Sequence, residues 1–316
     1  MDLLIGPVIE TSPVKCIDVH LARRYGTGKY YCIKKLKTRQ FSRRENEETD
    51  DEKDYKQGVF LIQKEDMILT HLNNRYPKHK GIINRYGMFE DGEKNLNLVL
   101  DCTSSHDFSK SHYVTLQKYL IDKKKISEME SLKTLLKILT IVKDVHEAGV
   151  VHRDLKLGNL VMNTQTRDIV LTNFWLGEIL KEEEFILEQR GSPAYISPEV
   201  ISGKKYLAKP SDVWAIGVIF YTMLYGQFPF YDSKPKELFR KIKAGTFTFP
   251  LGNVSESSKT IIKRTLSVDS TTRPTVDELI TTIEQLINSF EKMYFKPWCI
   301  FQCPTFIIKL FRKFKV

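Results

Sequence analysis

Two short polar stretches of this 316-residue chain contain side chains that could do chemistry together. The first, "HRDLKLGN", places the carboxylate of Asp154, the ammonium of Lys156 and the amide of Asn159 within six residues. The second, "TNFWLG", places Asn173 directly before two aromatic residues. A carboxylate, a cation and an amide in this order are typical of phosphoryl-transfer sites. The question is therefore whether this chain transfers phosphate or only keeps part of the required set.

The longer string "VVHRDLKLGNLVM" (150–162) resembles the catalytic loop of protein kinases. In that family the aspartate accepts the proton of the substrate hydroxyl, the lysine steadies the transferring phosphate and the asparagine holds a metal ion. The resemblance implies these catalytic roles for Asp154, Lys156 and Asn159. It also implies a serine/threonine-type activity, with ATP and Mg²⁺ as cofactors if the enzyme is active.

Further matches to the same family concern its nucleotide site. "YYCIKKL" resembles the strand whose lysine grips the nucleotide phosphates, here Lys34. "KEDMILTHL" places Glu65 where the family has the helix glutamate that pairs with this lysine. "LNLVLDC" predicts a buried strand that leads into a connector, and the resemblance places Asp101 and Cys102 at the ATP site. Each match alone would be weak, and their order along the chain favours the kinase interpretation.

A second group of matches concerns the stability of the fold. "RGSPAYISPEV" resembles the end of the activation segment, and its Glu199 is expected to pair with Arg273 of "DSTTRPT". Asp212 matches the buried aspartate that holds the catalytic loop, to which Arg153 also belongs. Breaking a buried ion pair typically costs ~3–5 kcal/mol. These residues therefore predict a folded domain and do not by themselves indicate activity.

The first departure from the family is the loop that covers the phosphates. Kinases use G-x-G-x-x-G there, because glycine lets the backbone lie close to phosphates. Counting back from Lys34 places Ser12, Val14 and Ile17 at the three glycine positions, with no neighbouring glycine that a shifted alignment could use. Either other residues contact the phosphates or this contact is lost.

The second departure is the metal anchor. Asn173 stands where the family has the aspartate that ligates Mg²⁺, and an asparagine offers only a neutral carbonyl oxygen. A unit charge at 4 Å contributes roughly 4 kcal/mol at an effective dielectric near 20, so this change predicts weak Mg·ATP binding. Trp175 replaces a glycine of the family, and its ring either enters the nucleotide cleft or fills the gap between the lobes. We predict no metal-ligand cluster elsewhere.

Together with "LDCTSSHDFS" and "YGQFPFYDSKPKELFRKIKAG", these motifs resemble the Tribbles-related pseudokinases, and within them the SINK-homologous serine/threonine-protein kinase group. The resemblance implies a scaffold that does not bind ATP, is involved in ubiquitin-ligase recruitment and restrains transcriptional signalling. We therefore expect a catalytically impaired scaffold that acts through protein partners. The alternative is an active serine/threonine kinase that uses Asp154 with an unusual metal site.

The motifs and hydrophobic patterns predict an α+β, two-lobed protein kinase fold. A small β-rich N-lobe is expected over residues 1–102 and a larger helical C-lobe over 103–288. The charged stretch 37–58 is almost devoid of apolar groups and predicts a flexible loop. A helix over 211–226 is apolar nearly all round, with Ser211 or its neighbour as the expected cap.

Composition and charge indicate an intracellular protein of the cytoplasm, the nucleus or both. Hydrophobic residues make up 41% of the chain, and its start resembles no signal peptide. The five cysteines are scattered, which favours reduced thiols over a disulfide framework. Six of the basic residues that give the net charge of +10 lie in the last 25 positions, and no zinc or RNA-binding motif occurs. Nucleic acid is therefore not an expected partner.

Residues 289–316 are expected to form a basic, hydrophobic C-terminal tail. If 305–316 is helical, its apolar residues share one face and its basic residues the other. This pattern suits the C-lobe itself, a protein partner or, least of all, a membrane surface. The expected partners are proteins that contact the C-lobe and the tail. The family's ligase-recruiting Val-Pro motif is absent, so ubiquitin-ligase recruitment rests on the resemblance alone.

Overall fold

The computed structural model describes residues 3–12, 14–38, 49–104, 112–181 and 184–294. These residues have the expected α+β arrangement, with a strand-rich N-lobe and a mainly helical C-lobe. The strands are β1 (Leu3–Thr11), β2 (Ile17–Arg24), β3 (Tyr30–Leu36), β4 (Arg85–Glu90), β5 (Leu96–Asp101), β6 (Tyr113–Thr115), β7 (Val150–Val151), β8 (Leu160–Asn163), β9 (Ile169–Leu171), β10 (Glu178–Ile179), β11 (Phe185–Ile186) and β12 (Tyr206–Leu207). The helices are α1 (Asp50–Arg75), α2 (Leu116–Lys123), α3 (Glu128–Glu147), α4 (Pro198–Ile201), α5 (Ala208–Tyr225), α6 (Pro235–Ala244), α7 (Glu256–Thr265) and α8 (Val276–Tyr294), with short 3₁₀ turns at Leu157–Asn159 and Ser270–Thr272.

The N-lobe is an antiparallel sheet in the order β1-β2-β3-β5-β4, with α1 against it. Strands β2 and β3 meet at a tight turn, where Gly26 has a positive φ of 71° that favours glycine. In the register of β3 with β5, Lys34 lies opposite Leu98. The side chains of Ile62, Ile68 and Leu69 on α1 are fully buried in the shared core. The sheet and α1 thereby fix the position of Lys34.

Helix α1 begins earlier than the sequence suggested. The Thr49 side chain accepts a hydrogen bond from the Glu52 amide at 3.3 Å, and three acidic residues occupy the first turn. Both features stabilise a helix start. The prediction of a flexible loop over 37–58 is therefore wrong for residues 50–58, while 39–48 lie outside the described residues.

The C-lobe is built around α5, which is buried on nearly every side. This helix begins at Ala208, so the prediction that Ser211 or Asp212 caps it is wrong. The last helix of the described residues, α8, packs on α3 and runs to Tyr294, beyond the expected lobe boundary at 288. The amphipathic pattern predicted over 305–316 lies outside the described residues. None of the helices within the described ranges is long and apolar enough to cross a membrane.

Candidate nucleotide site

A cleft with a cavity volume of about 530 Å³ separates the N-lobe sheet from the C-lobe. This volume is typical of pockets that hold small molecules. Most of the nucleotide-site and catalytic-loop positions that the sequence analysis selected line this cleft, but Val14, Glu65, Cys102 and Asp154 are not among its lining residues. Its lining includes Ser12, Ile17, Cys32, Lys34, Asp101, Lys156, Asn159, Asn173 and Trp175.

The ion pair predicted between Lys34 and Glu65 is confirmed. Lys34 Nζ lies 2.6 Å from Glu65 Oε2, and the Glu65 side chain is fully buried. The other carboxylate oxygen, Oε1, accepts a hydrogen bond from the Phe174 amide at 3.1 Å. Glu65 therefore links α1, β3 and the "TNFWLG" segment in one arrangement.

Asn173 contacts two other site residues through its side-chain amide. Its Oδ1 accepts a hydrogen bond from Lys34 Nζ at 3.1 Å, and its Nδ2 donates to Asn159 Oδ1 at 3.4 Å. The backbone of Asn173 has a positive φ of 68°, a conformation that asparagine tolerates better than most residues. The two positions that would ligate metal in a kinase are thus bonded to each other, and Asn173 is also bonded to Lys34.

These groups do not fit a resident Mg²⁺ ion. Neither Asn173 nor Asn159 supplies a negative charge, and both amide oxygens already accept hydrogen bonds. Mg²⁺ is normally held through one or two carboxylates. The nearby carboxylates of Glu65 and Asp154 each have both oxygens bonded within the protein. Across the described ranges, no group of three or more His, Cys, Asp or Glu side chains is placed to hold a metal ion.

Trp175 lies on the wall of the cleft and leaves its cavity open. The Lys34 ammonium is 4.9 Å from the centroid of the Trp175 ring, a cation–π distance. Only 8% of the Trp175 surface is exposed. The neighbouring Phe174 is fully buried and packs edge-on against His152, with ring centroids 4.8 Å apart. Lys34 therefore has three neighbours, Glu65, Asn173 and Trp175, that hold its ammonium without a phosphate.

Side chains fill the loop that carries glycines in kinases. Ser12 Oγ accepts a hydrogen bond from the Val14 amide at 3.1 Å and so closes the turn locally. Ile17 begins β2 and is almost fully buried at the edge of the cleft, while Val14 packs against the N-lobe core. The turn at these three positions is therefore stabilised by its own side chains, whereas a glycine loop presents bare backbone.

The catalytic loop keeps a complete set of polar contacts around Asp154. Its Oδ2 lies 2.9 Å from Lys156 Nζ and accepts from Asn159 Nδ2 at 3.0 Å. Its Oδ1 accepts from the amide and hydroxyl of Ser192 at 3.1 and 2.7 Å, and Lys156 Nζ donates to the same hydroxyl at 2.8 Å. The sequence analysis missed Ser192. Its only signal is its place inside "RGSPAYISPEV", the string that resembles the end of the activation segment.

Of the two connector positions, Asp101 lines the cleft, whereas Cys102 is not among its lining residues. The Asp101 carboxylate accepts hydrogen bonds from Asn84 Nδ2 at 2.6 Å and from the Tyr86 hydroxyl at 2.7 Å. These contacts fix the end of β5. The Cys102 thiol donates a hydrogen bond to the Ser104 carbonyl at 3.7 Å.

The predicted structural contacts of Glu199 and Asp212 are present. Arg273 Nη1 and Nη2 each lie 2.7 Å from a Glu199 carboxylate oxygen. The buried Asp212 carboxylate accepts from the amides of His152 and Arg153 at 3.0 and 2.9 Å. Burial raises the pKa of Asp212, but the hydrogen bond with His146 and neighbouring positive charge outweigh it, so the pKa lies below its ordinary value.

Arg153 also reaches the activation segment. Its guanidinium lies 3.3 Å from Glu188 and 3.5 Å from Glu178, and Arg190 lies 3.5 Å from the same Glu188 carboxylate. Burial raises the pKa of Glu188, but Arg190 and Arg153 lower it further, so it stays below its ordinary value. Glu178 in turn pairs with Lys64 on α1 at 2.5 Å. The ion pairs of Glu178 and Glu188 therefore link the catalytic loop, α1 and the activation segment.

Comparison with known families agrees with this fold and site. The protein kinase domain model matches residues 17–283 of the chain. This chain therefore belongs to the protein kinase superfamily, in the group of serine/threonine-protein kinase 40.

Three relatives illustrate the match. Serine/threonine-protein kinase 40 of Gallus gallus is 40% identical over 311 residues, which cover 92% of this chain and 70% of the relative. The Homo sapiens protein of the same name is 38% identical over 311 residues, which again cover 92% of this chain and 70% of the relative. A more distant relative, the carbon catabolite-derepressing protein kinase of Secale cereale, is 38% identical over 164 residues, or 52% of this chain and 32% of the relative.

Proposed function

We propose that this chain is a pseudokinase, a kinase-like scaffold with impaired catalysis that binds other proteins in the cytoplasm, the nucleus or both. Its proposed role is negative regulation of signalling or transcription, and it needs no cofactor. The observation that supports impaired catalysis most directly is the neutral amide pair of Asn173 and Asn159 at the position where kinases hold metal. A scaffold binds its partners through the surfaces of the fold, and this binding does not require a metal site.

The charges around this amide pair disfavour Mg·ATP. Lys34 Nζ lies 3.1 Å from Asn173 Oδ1 and repels any cation placed beside that oxygen. The carboxylate of Glu65, 2.6 Å away, already balances the ammonium. An aspartate at position 173 would add a negative charge worth roughly 4 kcal/mol at 4 Å and a dielectric near 20. Without it, the metal gains no new ionic contact and loses much of its hydration.

A groove between the activation segment and α6 supports the proposal of a protein partner. Its volume is about 650 Å³, and its lining carries the cations Lys236, Arg240 and Lys243 beside the ring of Phe239. The single acidic residue in this lining, Glu237, is bonded to Arg240 at 2.8 Å. An extended acidic segment with one apolar side chain fits this combination. Contacts through the tail, with a ubiquitin ligase or with a membrane, remain predictions.

The groove is tested by the binding of a labelled Asp/Glu-rich peptide with a central leucine, followed by fluorescence anisotropy. The charge-reversed variant Lys236→Glu with Lys243→Glu should bind at least tenfold more weakly. Arg264→Glu, an exposed position on α7, serves as the matched control and should bind like the natural chain. Equal binding by all three proteins would remove the groove from the proposal.

The second candidate function is an active serine/threonine kinase that transfers the γ-phosphate of ATP. The intact contacts of Asp154 with Lys156 and Ser192 favour it, as does the formed Lys34–Glu65 pair. These are the groups that a kinase uses to position its substrate hydroxyl and its nucleotide. The candidate requires Mg²⁺ to bind despite the amide pair, and this requirement makes it the weaker of the two.

Phosphate incorporation separates the two functions. Purified chain is incubated with labelled ATP, Mg²⁺ and a general protein substrate, beside the variant Asp154→Ala. The pseudokinase proposal expects no incorporation above that of the variant. Incorporation by the natural chain that disappears in Asp154→Ala would establish the kinase and overturn the proposal. Activity that persists in Asp154→Ala would identify a contaminating kinase, and the assay would then be repeated after further purification.

A further inference from the structure

Strands β11 and β12 form a small antiparallel ribbon with one buried and one open face. The register pairs Phe185 with Leu207 and Ile186 with Tyr206. Because side chains alternate along a strand, Ile186 and Tyr206 share the inner face, while Phe185 and Leu207 share the outer face. Both inner side chains are buried in a small core, and the Tyr206 hydroxyl donates to the Glu188 carbonyl at 2.9 Å. These contacts hold the ribbon in place, so its outer face is a fixed surface.

The outer face of the ribbon presents three large apolar side chains to solvent. Phe185 is 57% exposed and Leu207 is 38% exposed, and Leu187, which continues the alternation of β11, is 59% exposed. Directly opposed residues of antiparallel strands have Cβ atoms about 5 Å apart, so these side chains are neighbours. Single exposed apolar residues are common on protein surfaces, whereas a contiguous group marks an interaction site. We call this group the ribbon patch.

Positive charge borders the ribbon patch. Lys204 and Lys205 directly precede β12, Lys209 lies just after it, and all three side chains are exposed. Among the described residues, no carboxylate forms an ion pair with any of these lysines. Glu184, at the exposed start of the ribbon, accepts a hydrogen bond from the Lys181 amide at 2.9 Å. The described surroundings of the patch are therefore net positive, which favours an acidic partner over a second copy of this chain.

The ribbon patch adjoins the groove between the activation segment and α6. Gln189 lines that groove and follows Leu187 by two residues, so their Cα atoms are at most about 7 Å apart. The Gln189 side chain also touches the turn before β12, because a Cβ atom at Gly203 would lie 2.6 Å from its Nε2. The groove carries its own cations, among them Lys236 and Lys243. Groove and ribbon patch thus form one continuous surface with apolar side chains and cations in both parts.

We propose that the ribbon patch is a second subsite for the acidic segment that the groove binds. An extended segment that places one apolar side chain beside Phe239 in the groove lays a second one against Phe185 and Leu187. Its carboxylates pair with Lys204 and Lys205. Extended peptides are commonly recognised in this way, through separate contacts for several of their side chains. The inference rests on the proposed function, since it takes the chain to act by binding proteins, and it specifies a partner segment with two apolar anchors.

Two labelled peptides of equal length and charge test the ribbon patch on the full chain. Both are rich in Asp and Glu and have a central leucine. One carries further leucines about five residues to either side, roughly 17 Å when extended, and the other carries serines there. Fluorescence anisotropy should show at least fivefold tighter binding of the peptide with outer leucines. Phe185→Ser with Leu187→Ser should abolish this gain and leave binding of the serine peptide unchanged. Ile121→Ser, at a 70% exposed position on α2, is the matched control and should keep the gain.

The outcomes separate the ribbon patch from the groove. Outer leucines that add nothing, or a gain that survives in the Phe185→Ser, Leu187→Ser variant folded by circular dichroism, would overturn the second subsite while the groove still binds the serine peptide. A chain that binds neither peptide would overturn the groove and the ribbon patch together. Sedimentation velocity of the chain without peptide identifies the other occupant. Dimers of the natural chain that the ribbon variant does not form would show that a second copy covers the patch, and would also overturn the proposal.

Discussion

Replacing Asn173 with aspartate restores one charge to the site and changes little else. The two side chains have nearly the same shape, and the positive φ at this position suits both. Lys34 Nζ, now 3.1 Å from the amide oxygen, would face a carboxylate oxygen at that distance. The amide hydrogen bond to Asn159 at 3.4 Å is lost, which frees the Asn159 oxygen. We therefore expect Asn173→Asp to acquire Mg²⁺-dependent binding of ATP.

The size of this effect follows from the charge and its exposure. One unit charge at 4 Å contributes roughly 4 kcal/mol at an effective dielectric near 20. Asn173 is partly exposed, so solvent screens part of this energy. A remaining gain of about 1.5–3 kcal/mol corresponds to an affinity for Mg·ATP that is about 10–100 times higher, since 1.4 kcal/mol is a factor of ten.

The assay is calorimetric titration of ATP at several Mg²⁺ concentrations, with circular dichroism to verify folding. Asn253→Asp, at an exposed loop position before α7, adds the same charge away from the cleft and should leave binding unchanged. The reasoning is refuted if the natural chain already binds Mg·ATP as tightly as folded Asn173→Asp. It is also refuted if both aspartate variants gain equally, because the gain would then reflect net charge alone.

Three further predictions concern stability and order. Arg273→Ala leaves the carboxylate of Glu199 without its cation and should lower the free energy of unfolding by about 3–5 kcal/mol, measured by denaturant titration. Burial lowers the pKa of His152 below 6.5, so the unfolded chain takes up this proton at a higher pH than the folded chain. Stability should fall as the pH drops below about 6.5, by at most about 1.4 kcal/mol per pH unit for this group, and less steeply in His152→Gln. Glu188→Ala removes the carboxylate between Arg153 and Arg190 and should speed amide hydrogen exchange at least severalfold over residues 184–192, with α8 unchanged.

Each of these predictions has a clear opposing result. An Arg273→Ala variant as stable as the natural chain would mean that the buried pair contributes no net stability. Parallel pH profiles for the natural chain and His152→Gln would exclude His152 as the titrating group. Unchanged exchange over 184–192 in Glu188→Ala would show that other contacts order this segment.

The sequence predicted those contacts in which both partner residues belong to recognisable motifs. The pairs Lys34–Glu65 and Glu199–Arg273 each join two charged residues that stand in recognisable strings. The structure adds Ser192 and Glu188. Both lie on the activation segment, which folds back so that they contact the catalytic loop. A serine or glutamate in a polar stretch carries no periodic signal, so these contacts could be found only from the fold.

The two errors in helix boundaries have local and distant causes. The start of α1 was missed because its first turns are charged, although Thr49 and Glu52 stand in the spacing of a helix cap. Ser211 and Asp212 are good capping residues by type, but both face inward from the first turns of α5. Ser211 donates to Glu199 at 2.8 Å, and Asp212 holds the catalytic loop. Both side chains are therefore engaged in tertiary contacts, and such contacts cannot be predicted from the capping propensity of the residues alone.

Thermal unfolding of the purified chain with ATP, with and without Mg²⁺, tests the central claim most directly. A ligand at 100 times its Kd stabilises a protein by about 2.7 kcal/mol, which raises Tm by several degrees. The amide pair of Asn173 and Asn159 predicts that Mg²⁺ adds nothing to any shift that ATP produces. A rise in Tm that requires both ATP and Mg²⁺ would contradict the account and favour the active kinase.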